Sequence, residues 1–193
     1  MSTHQTLISL FDVLQGDRIV IRPYRGDDAT DLFTAIGESR DHLRPWLPFA
    51  DSHQTIDESR DWIAQQQAAW LLRTELSVGI WANNETRFVG GTELKPIDWD
   101  IRYFQIGYWL RASETGQGYA TEAVRLLTEY ALNHLNAQRV EIRCSDHNIS
   151  SAAIARRIGF TLEGVLQNDH RACDGAIHSS LIFARIPTAS SAP

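Results

Sequence analysis

Cysteine is scarce in this chain. Its 193 residues hold two, Cys144 and Cys173, and no CxxC pair. That excludes a disulfide framework and a thiolate zinc site, so the expectation is two reduced thiols in a cytoplasmic protein and no bound metal. Long apolar runs are also missing, and no stretch approaches the ~20 residues of a membrane span. The first residues carry no basic segment followed by an apolar run, so no signal peptide is expected. An excess of basic residues is lacking as well. The formal net charge of −6 argues against nucleic acid as a partner and is compatible with an amine-bearing substrate. No internal repeat is present. What remains is the composition of a globular protein, 43% hydrophobic and 22% charged, read as one domain over 1–193 with a core from 17 to 186 and a Ser/Ala-rich tail at Pro187–Pro193.

The local signals alternate between strand and helix. In Asp17–Tyr24, Ile19 and Ile21 alternate with Arg18, Val20 and Arg22 before Pro23, which predicts a strand. Gly26–Asp27–Asp28 opens a helix over Ala29–Ile36, and a short second helix is expected near Ser39–Arg44. Arg44–Pro45–Trp46–Leu47–Pro48–Phe49 cannot be a helix interior with two prolines. It reads either as a loop packed on the core or as one wall of a substrate cleft, with Trp46 and Phe49 as the contacts. A capped helix follows from Thr55 to about Arg73, with Trp62, Ile63, Gln66, Ala69, Trp70 and Leu71 at helical spacing. Leu76–Ala82 and Arg87–Pro96 predict a hairpin around Asn83–Asn84–Glu85, and Gly90–Gly91 suggests a bulge or a close backbone approach. Ile101–Leu110 is a strand, Tyr119 to about Asn136 a long amphipathic helix, and Arg139–Ser145 a strand able to run parallel to Ile101–Leu110. Asn148–Arg157 is a helix, and Phe160–Leu166 and Ala176–Ile186 are strands. The order β α α α β β β α β α β β predicts an α/β (α+β) domain, a mixed sheet flanked by helices.

One stretch between strand and helix carries the chemistry: Gly116–Gln117–Gly118–Tyr119–Ala120–Thr121. A glycine turn opening a helix presents unpaired backbone N–H groups and the positive helix end to one spot, which suits a phosphate. A Walker A loop is excluded, because no Lys-Ser/Thr pair follows the last glycine. A dinucleotide fingerprint would need glycine where Thr121 stands, and apolar strand residues where Arg102, Gln105 and Arg111 stand. A plain structural turn is the remaining alternative.

Ile106–Gly107–Tyr108–Trp109–Leu110, followed by Gly116–Gln117–Gly118–Tyr119–Ala120–Thr121–Glu122–Ala123, resembles the central motif of the Gcn5-related N-acetyltransferases. Asn148–Ile149–Ser150–Ser151–Ala152, leading to Arg156–Arg157–Ile158–Gly159–Phe160–Thr161–Leu162–Glu163–Gly164, resembles their second signature. Trp46–Leu47–Pro48–Phe49 is similar to a loop of the branch that acetylates the N-termini of ribosomal proteins. The resemblance implies a mostly antiparallel sheet with one splayed parallel pair, and acetyl-coenzyme A as cofactor. It implies contacts to that cofactor from Tyr108, Trp109, Leu110, Gly116, Gln117, Gly118, Tyr119, Ala120, Thr121, Asn148 and Ser151. Thr115 stands where the family has Gln or Arg, so binding rests on backbone amides. Gln105 stands where many relatives have an acid, so the base lies elsewhere or is a chain of water.

The implied activity is direct acetyl transfer to a primary amine. The acceptor would be the α-amine of a ribosomal protein N-terminus, a small amine or an antibiotic. A non-catalytic acyl-coenzyme A module and a dinucleotide enzyme are the alternatives. A homodimer is common in the branch. An α-amine, with a pKa of roughly 7.7–8.0, needs only a modest base. The candidates are Glu93 on its strand, Asp169 and His170 just beyond the strand ending near Leu166, and His147. Ser151 is the candidate proton donor to the leaving thiolate, although Asn148 and Ser151 also suit helix capping. Cys144 has no required role in direct transfer.

Overall fold

The computed structural model describes residues 5–82, 85–173 and 175–187. Asn83 and Asn84 of the expected hairpin turn, and 188–193 of the expected tail, lie outside the described residues. Eight strands form one sheet: β1 (Leu14–Gln15), β2 (Ile19–Pro23), β3 (Leu76–Ala82), β4 (Phe88–Asp98), β5 (Tyr103–Leu110), β6 (Arg139–Ser145), β7 (Thr161–Arg171) and β8 (Ile177–Arg185). Their spatial order is β1-β2-β3-β4-β5-β6-β8-β7. Every neighbouring pair is antiparallel except β5 and β6. The parallel pair is short: Tyr103, Phe104 and Gln105 face Arg139, Val140 and Glu141, and beyond them the strands part.

Four α-helices cover the sheet: α1 (Ala29–Leu43), α2 (Ile56–Leu72), α3 (Tyr119–Asn133) and α4 (Ile149–Arg157). α1 buries Leu32, Ala35, Ile36, Ser39 and Leu43, spaced three or four apart, against Trp81 and Phe88. α3 buries Ala120, Ala123, Val124, Leu127 and Ala131 among Ile19, Ile21, Phe104 and Ile106. Each fully buried large aliphatic or aromatic side chain contributes about 1.5–3 kcal/mol. Thr55 caps α2 through a reciprocal box: its hydroxyl accepts from Glu58 N and the Glu58 carboxylate accepts from Thr55 N.

Several expectations are corrected here. The two short helices expected over Ala29–Ile36 and Ser39–Arg44 are one continuous α1. Gly37 interrupts the pattern, but the buried residues on both sides of it hold the helix together, and that outweighs the ~1 kcal/mol glycine penalty. Leu71, expected on the apolar face of α2, is 70% exposed. β2 is buried on both faces, so Val20 and Arg22 are as covered as Ile19 and Ile21. The Arg22 guanidinium is held there by both oxygens of Asp28 (2.8 and 2.9 Å) and lies 3.6 Å from the centre of the Trp81 ring. The strand expected to end near Leu166 continues as β7 to Arg171, so Asp169 and His170 are strand residues. The bulge expected at Gly90–Gly91 is present as a register shift between Ile80 and Trp81 on the facing strand.

Candidate active site

The parting of β5 from β6 creates the site. Gly107 O accepts from Thr92 Oγ1 on β4 at 2.8 Å, and Arg111 N donates to Val89 O on the same strand. Strand alternation then turns the peptide groups of Ile106 and Tyr108 toward the β6 side, where the partner strand has left. Here a cavity of about 1260 Å³ opens between α3, α4 and the diverging strands.

The turn at one end of this cavity is built for an anion. Gly116 and Gly118 have φ of 74° and 85°, a left-handed backbone that favours glycine. A Cβ on Gly116 would meet nothing within 4 Å, whereas one on Gly118 would lie 3.0 Å from Arg18 Nη2. Gly118 caps α3, and the first intrahelical bond runs from Glu122 N to Gly118 O. The N–H groups of Tyr119, Ala120 and Thr121 therefore have no acceptor within the helix. The turn is pinned from three sides. Arg18 binds Glu122 and the carbonyl of Gln117, Arg111 forks onto Glu38 of α1 at 2.7 Å for both bonds, and Ala112 N donates to Ser39 Oγ.

Of the residues expected to hold a cofactor, Tyr108, Trp109, Leu110, Gly116, Gly118, Ala120, Thr121, Asn148 and Ser151 line this one cavity, as do Trp46 and His170. The side chains of Gln117 and Tyr119 turn away from it. Gln117 Nε2 donates to Glu114, and the Tyr119 hydroxyl accepts from Arg87. Asn148 caps α4, its Oδ1 accepting from Ser151 N at 3.1 Å. Capping by Asn148 uses the backbone of Ser151 and leaves its side chain on the cavity. Ser151 Oγ lies 2.8 Å from the Tyr108 hydroxyl, whose pKa burial pushes up to about 12, so that it stays protonated. Cys144 lies beside Ser151, and burial raises its pKa, which keeps it a thiol.

A second, smaller cavity of about 220 Å³ lies on the other side of β5 and shares Leu47, Gly107, Tyr108 and Trp109 with the first. Glu93 and Phe49 line it, with Glu75, Tyr24, His53 and Trp62. Burial first, then the neighbouring Glu75, pushes Glu93 up to about 7. Of the base candidates, His170 and His147 lie instead on the larger cavity, with His170 Nδ1 3.2 Å from Asp169 Oδ1 and His147 Nδ1 2.9 Å from Asp146 Oδ1. Desolvation would raise the Asp169 pKa, but hydrogen bonds with His170, Ser180 and Arg143 and the charge of Arg143 outweigh it and hold the carboxyl at about 2.

The sequence reading missed Arg157, Glu75, Tyr24 and Trp62. Arg157 lies on the cavity with its Nη1 3.2 Å from Thr121 Oγ1, joining the start of α3 to the end of α4. Helical spacing from Ser150 through Ile154 to Arg157 was the available signal for it. The other three reach the smaller cavity through long-range packing that no local pattern reports.

Residues 18–161 match the family model described as the acetyltransferase (GNAT) domain. The chain belongs to this family. It is an N-acetyltransferase with the GNAT fold, and its acetyl transfer is that of the family. It is 30% identical over 180 residues to the putative ribosomal N-acetyltransferase YdaF of Bacillus subtilis, covering 90% of this chain and 93% of that protein. Among solved structures, the microcin C7 self-immunity acetyltransferase MccE, in complex with acetyl-CoA and AMP, is similar at 27% identity and TM-score 0.81, covering 89% of this chain and 94% of that one. RimL, the ribosomal L7/L12 alpha-N-protein acetyltransferase in complex with coenzyme A, shares the fold at TM-score 0.84 and 22% identity, covering 90% and 97%.

Proposed function

We propose that this N-acetyltransferase uses acetyl-coenzyme A to acetylate a primary amine, the α-amine at the N-terminus of a ribosomal protein, in the cytoplasm. The observation that carries the reading is the meeting of two unlike cavities at Gly107, Tyr108 and Trp109. One ends in a glycine turn and a helix N-terminus, and the other holds a carboxyl group that titrates near neutrality.

The larger cavity fits the coenzyme by its donor set. Backbone N–H groups of the turn and Arg157 suit the phosphates, and the unpaired edge of β5 and Asn148 suit an amide-bearing arm. When bound, acetyl-coenzyme A supplies an acyl thioester. The residues of this chain then divide the proton traffic. Glu93 takes a proton from the acceptor nitrogen on one side of β5. Ser151 Oγ, backed by the Tyr108 hydroxyl, gives one to the departing sulfur on the other. His170, on the coenzyme side, is the less suitable base.

The name of YdaF supports a protein N-terminus as acceptor. Thiol release is the test, measured over N-terminal peptides of ribosomal proteins and a panel of small amines and aminoacyl nucleotides. The expected result is turnover on peptides with a small first residue. Preferential turnover of the small amines would move the acceptor class. Coenzyme binding without thiol release on any acceptor would overturn the catalytic reading.

A further inference from the structure

Glu75 has no part in the assignment above, yet it stands beside the residue that matters most. Ser77 and Glu93 are register partners across β3 and β4, and Glu75 immediately precedes β3. The buried Ser77 donates its Oγ–H to Glu75 Oε1 at 2.9 Å, which turns that carboxyl toward its neighbour. Glu75 and Glu93 line the same small cavity, and after burial Glu75 is the neighbour that raises the Glu93 pKa. Two ionised carboxylates are acceptors only, so a hydrogen bond between them forms once one of them has taken up a proton. Glu93 in turn lies flat across β5: a Cβ on Gly107 would sit 2.7 Å from its Oε1. The pair therefore reaches the place where the two cavities meet.

We propose that Glu75 and Glu93 form one proton-sharing pair that receives the acceptor as a primary ammonium ion and removes its proton, with Glu93 the accepting group and Glu75 its positioning residue. The inference rests on the amine-acetylation reading of this site. It goes further by naming the protonation state in which the acceptor arrives and the second carboxylate that makes its capture possible.

The surroundings favour a cation. Among the described residues, no arginine or lysine lines the smaller cavity. The groups facing Glu93 are Glu75 from the approach to β3, Tyr24 from the end of β2, His53 from the segment before α2, Tyr108 from β5 and Lys95 farther along β4. Burial lowers the pKa of His53, whose Nδ1 lies 2.9 Å from Ser59 Oγ, so the ring contributes no charge at neutral pH. Lys95 is exposed and off the cavity. The walls are the rings of Tyr24, Trp62, Trp109 and Phe49, which suit an ammonium with a compact apolar group behind it.

The proton step balances. One N–H bond of the ammonium breaks, its electron pair stays on nitrogen, and an O–H bond forms on Glu93. The pair goes from −2 to −1 as the nitrogen goes from +1 to neutral. The hydrogen bond to Glu75 stabilises the protonated product and so makes Glu93 the stronger base.

The test is a direct titration of the full-length protein labelled with ¹³C at glutamate carboxyls, in wild type, Glu75→Gln, Ser77→Ala and Glu93→Gln. In wild type one carboxyl, absent from Glu93→Gln, is expected to titrate near neutrality. In Glu75→Gln its midpoint falls by about one unit or more, and in Ser77→Ala by less in the same direction. Butylammonium chloride is expected to lower the wild-type midpoint and the neutral isostere butanol to leave it in place. That response shrinks in Glu75→Gln. A Glu93 midpoint unchanged in folded Glu75→Gln, or equal responses to butylammonium and butanol, would overturn the proposal. Turnover enters none of these readings. A protein that titrates as described but acetylates no amine would overturn the functional assignment alone.

Discussion

The Tyr108 hydroxyl and Ser151 Oγ lie 2.8 Å apart, which joins β5 to the first turn of α4 across the open end of the split sheet. A serine hydroxyl alone is a poor acid, and a second hydroxyl behind it can refill the proton it gives up. Ser151→Ala is expected to lower kcat by roughly 10²-fold, the low end of general acid catalysis, with little change in the coenzyme Kd. Tyr108→Phe is expected to cost less. The double variant should cost little more than Ser151→Ala, since the two act as a unit. Stopped-flow thiol release on all three proteins checks this, and fully additive losses would separate the two groups.

Glu93 ties stability to pH. Its folded-state pKa of about 7 lies above the ordinary glutamate value of 4.5, so the native state binds the extra proton. The stabilisation relative to the unfolded chain is complete below pH 4.5 and is lost as pH rises through 7. Glu93→Gln removes the penalty of burying the charge. It is expected to be more stable than wild type at pH 8, by on the order of 3 kcal/mol at most, and nearly equal to it at pH 4. Denaturant melts at the two pH values give the answer. A variant equally affected at both would mean that folding leaves the Glu93 carboxyl at its ordinary pKa.

Catalysis should show the same group from the other side. The base must be deprotonated and the acceptor must arrive protonated, so kcat/KM is expected to rise with pH through about 7 and to fall again above the acceptor's own pKa. Glu93→Gln should lose the rising limb together with roughly 10²-fold or more of the rate. A limb that persists in Glu93→Gln would transfer the role to His170.

Arg157 joins α4 to α3 at Thr121 and faces the glycine turn. Arg157→Gln is expected to weaken coenzyme A binding by about tenfold or more, the worth of one charge-assisted contact, and to make the affinity less dependent on salt. Calorimetry at two ionic strengths measures both effects. Dephospho-coenzyme A would show which phosphate is held, because a lost 3′-phosphate contact cannot be lost twice.

Cys144 is near the reacting end but is kept a neutral thiol by burial. Cys144→Ala is expected to retain most activity and to cost about 1–2 kcal/mol of stability at most, as for a small buried side chain. A loss equal to that of Asn148→Ala in a folded protein would contradict direct transfer.

Short-range chemistry was legible in the sequence. The glycine turn at 116–118, the caps Thr55 and Asn148, and the alternation in β6 each depend on a few adjacent residues. Failures came where distant packing decides. Gly37 looked like a helix end, but Ser39 and Leu43 beyond it are buried and carry α1 onward. The polar run Gln167–Asn168–Asp169–His170 looked like a loop, yet pairing with β8 extends it as strand. Glu93 could be named only as one candidate among several. What sets it apart is Glu75, which the register of β3 against β4 brings alongside.

The backbone ladder between β5 and β6 has three residue pairs, Tyr103–Gln105 against Arg139–Glu141. The sheet is therefore two half-sheets laced together at one end, and the cheapest distortion of the fold is a scissoring of the other. In the proposed coenzyme site, an arm hydrogen-bonded along that seam would take the place of the missing strand rungs. Loading the protein should thus slow amide exchange in Ile142–Cys144, far from the glycine turn, and the rate at which the seam opens sets how fast spent coenzyme can leave.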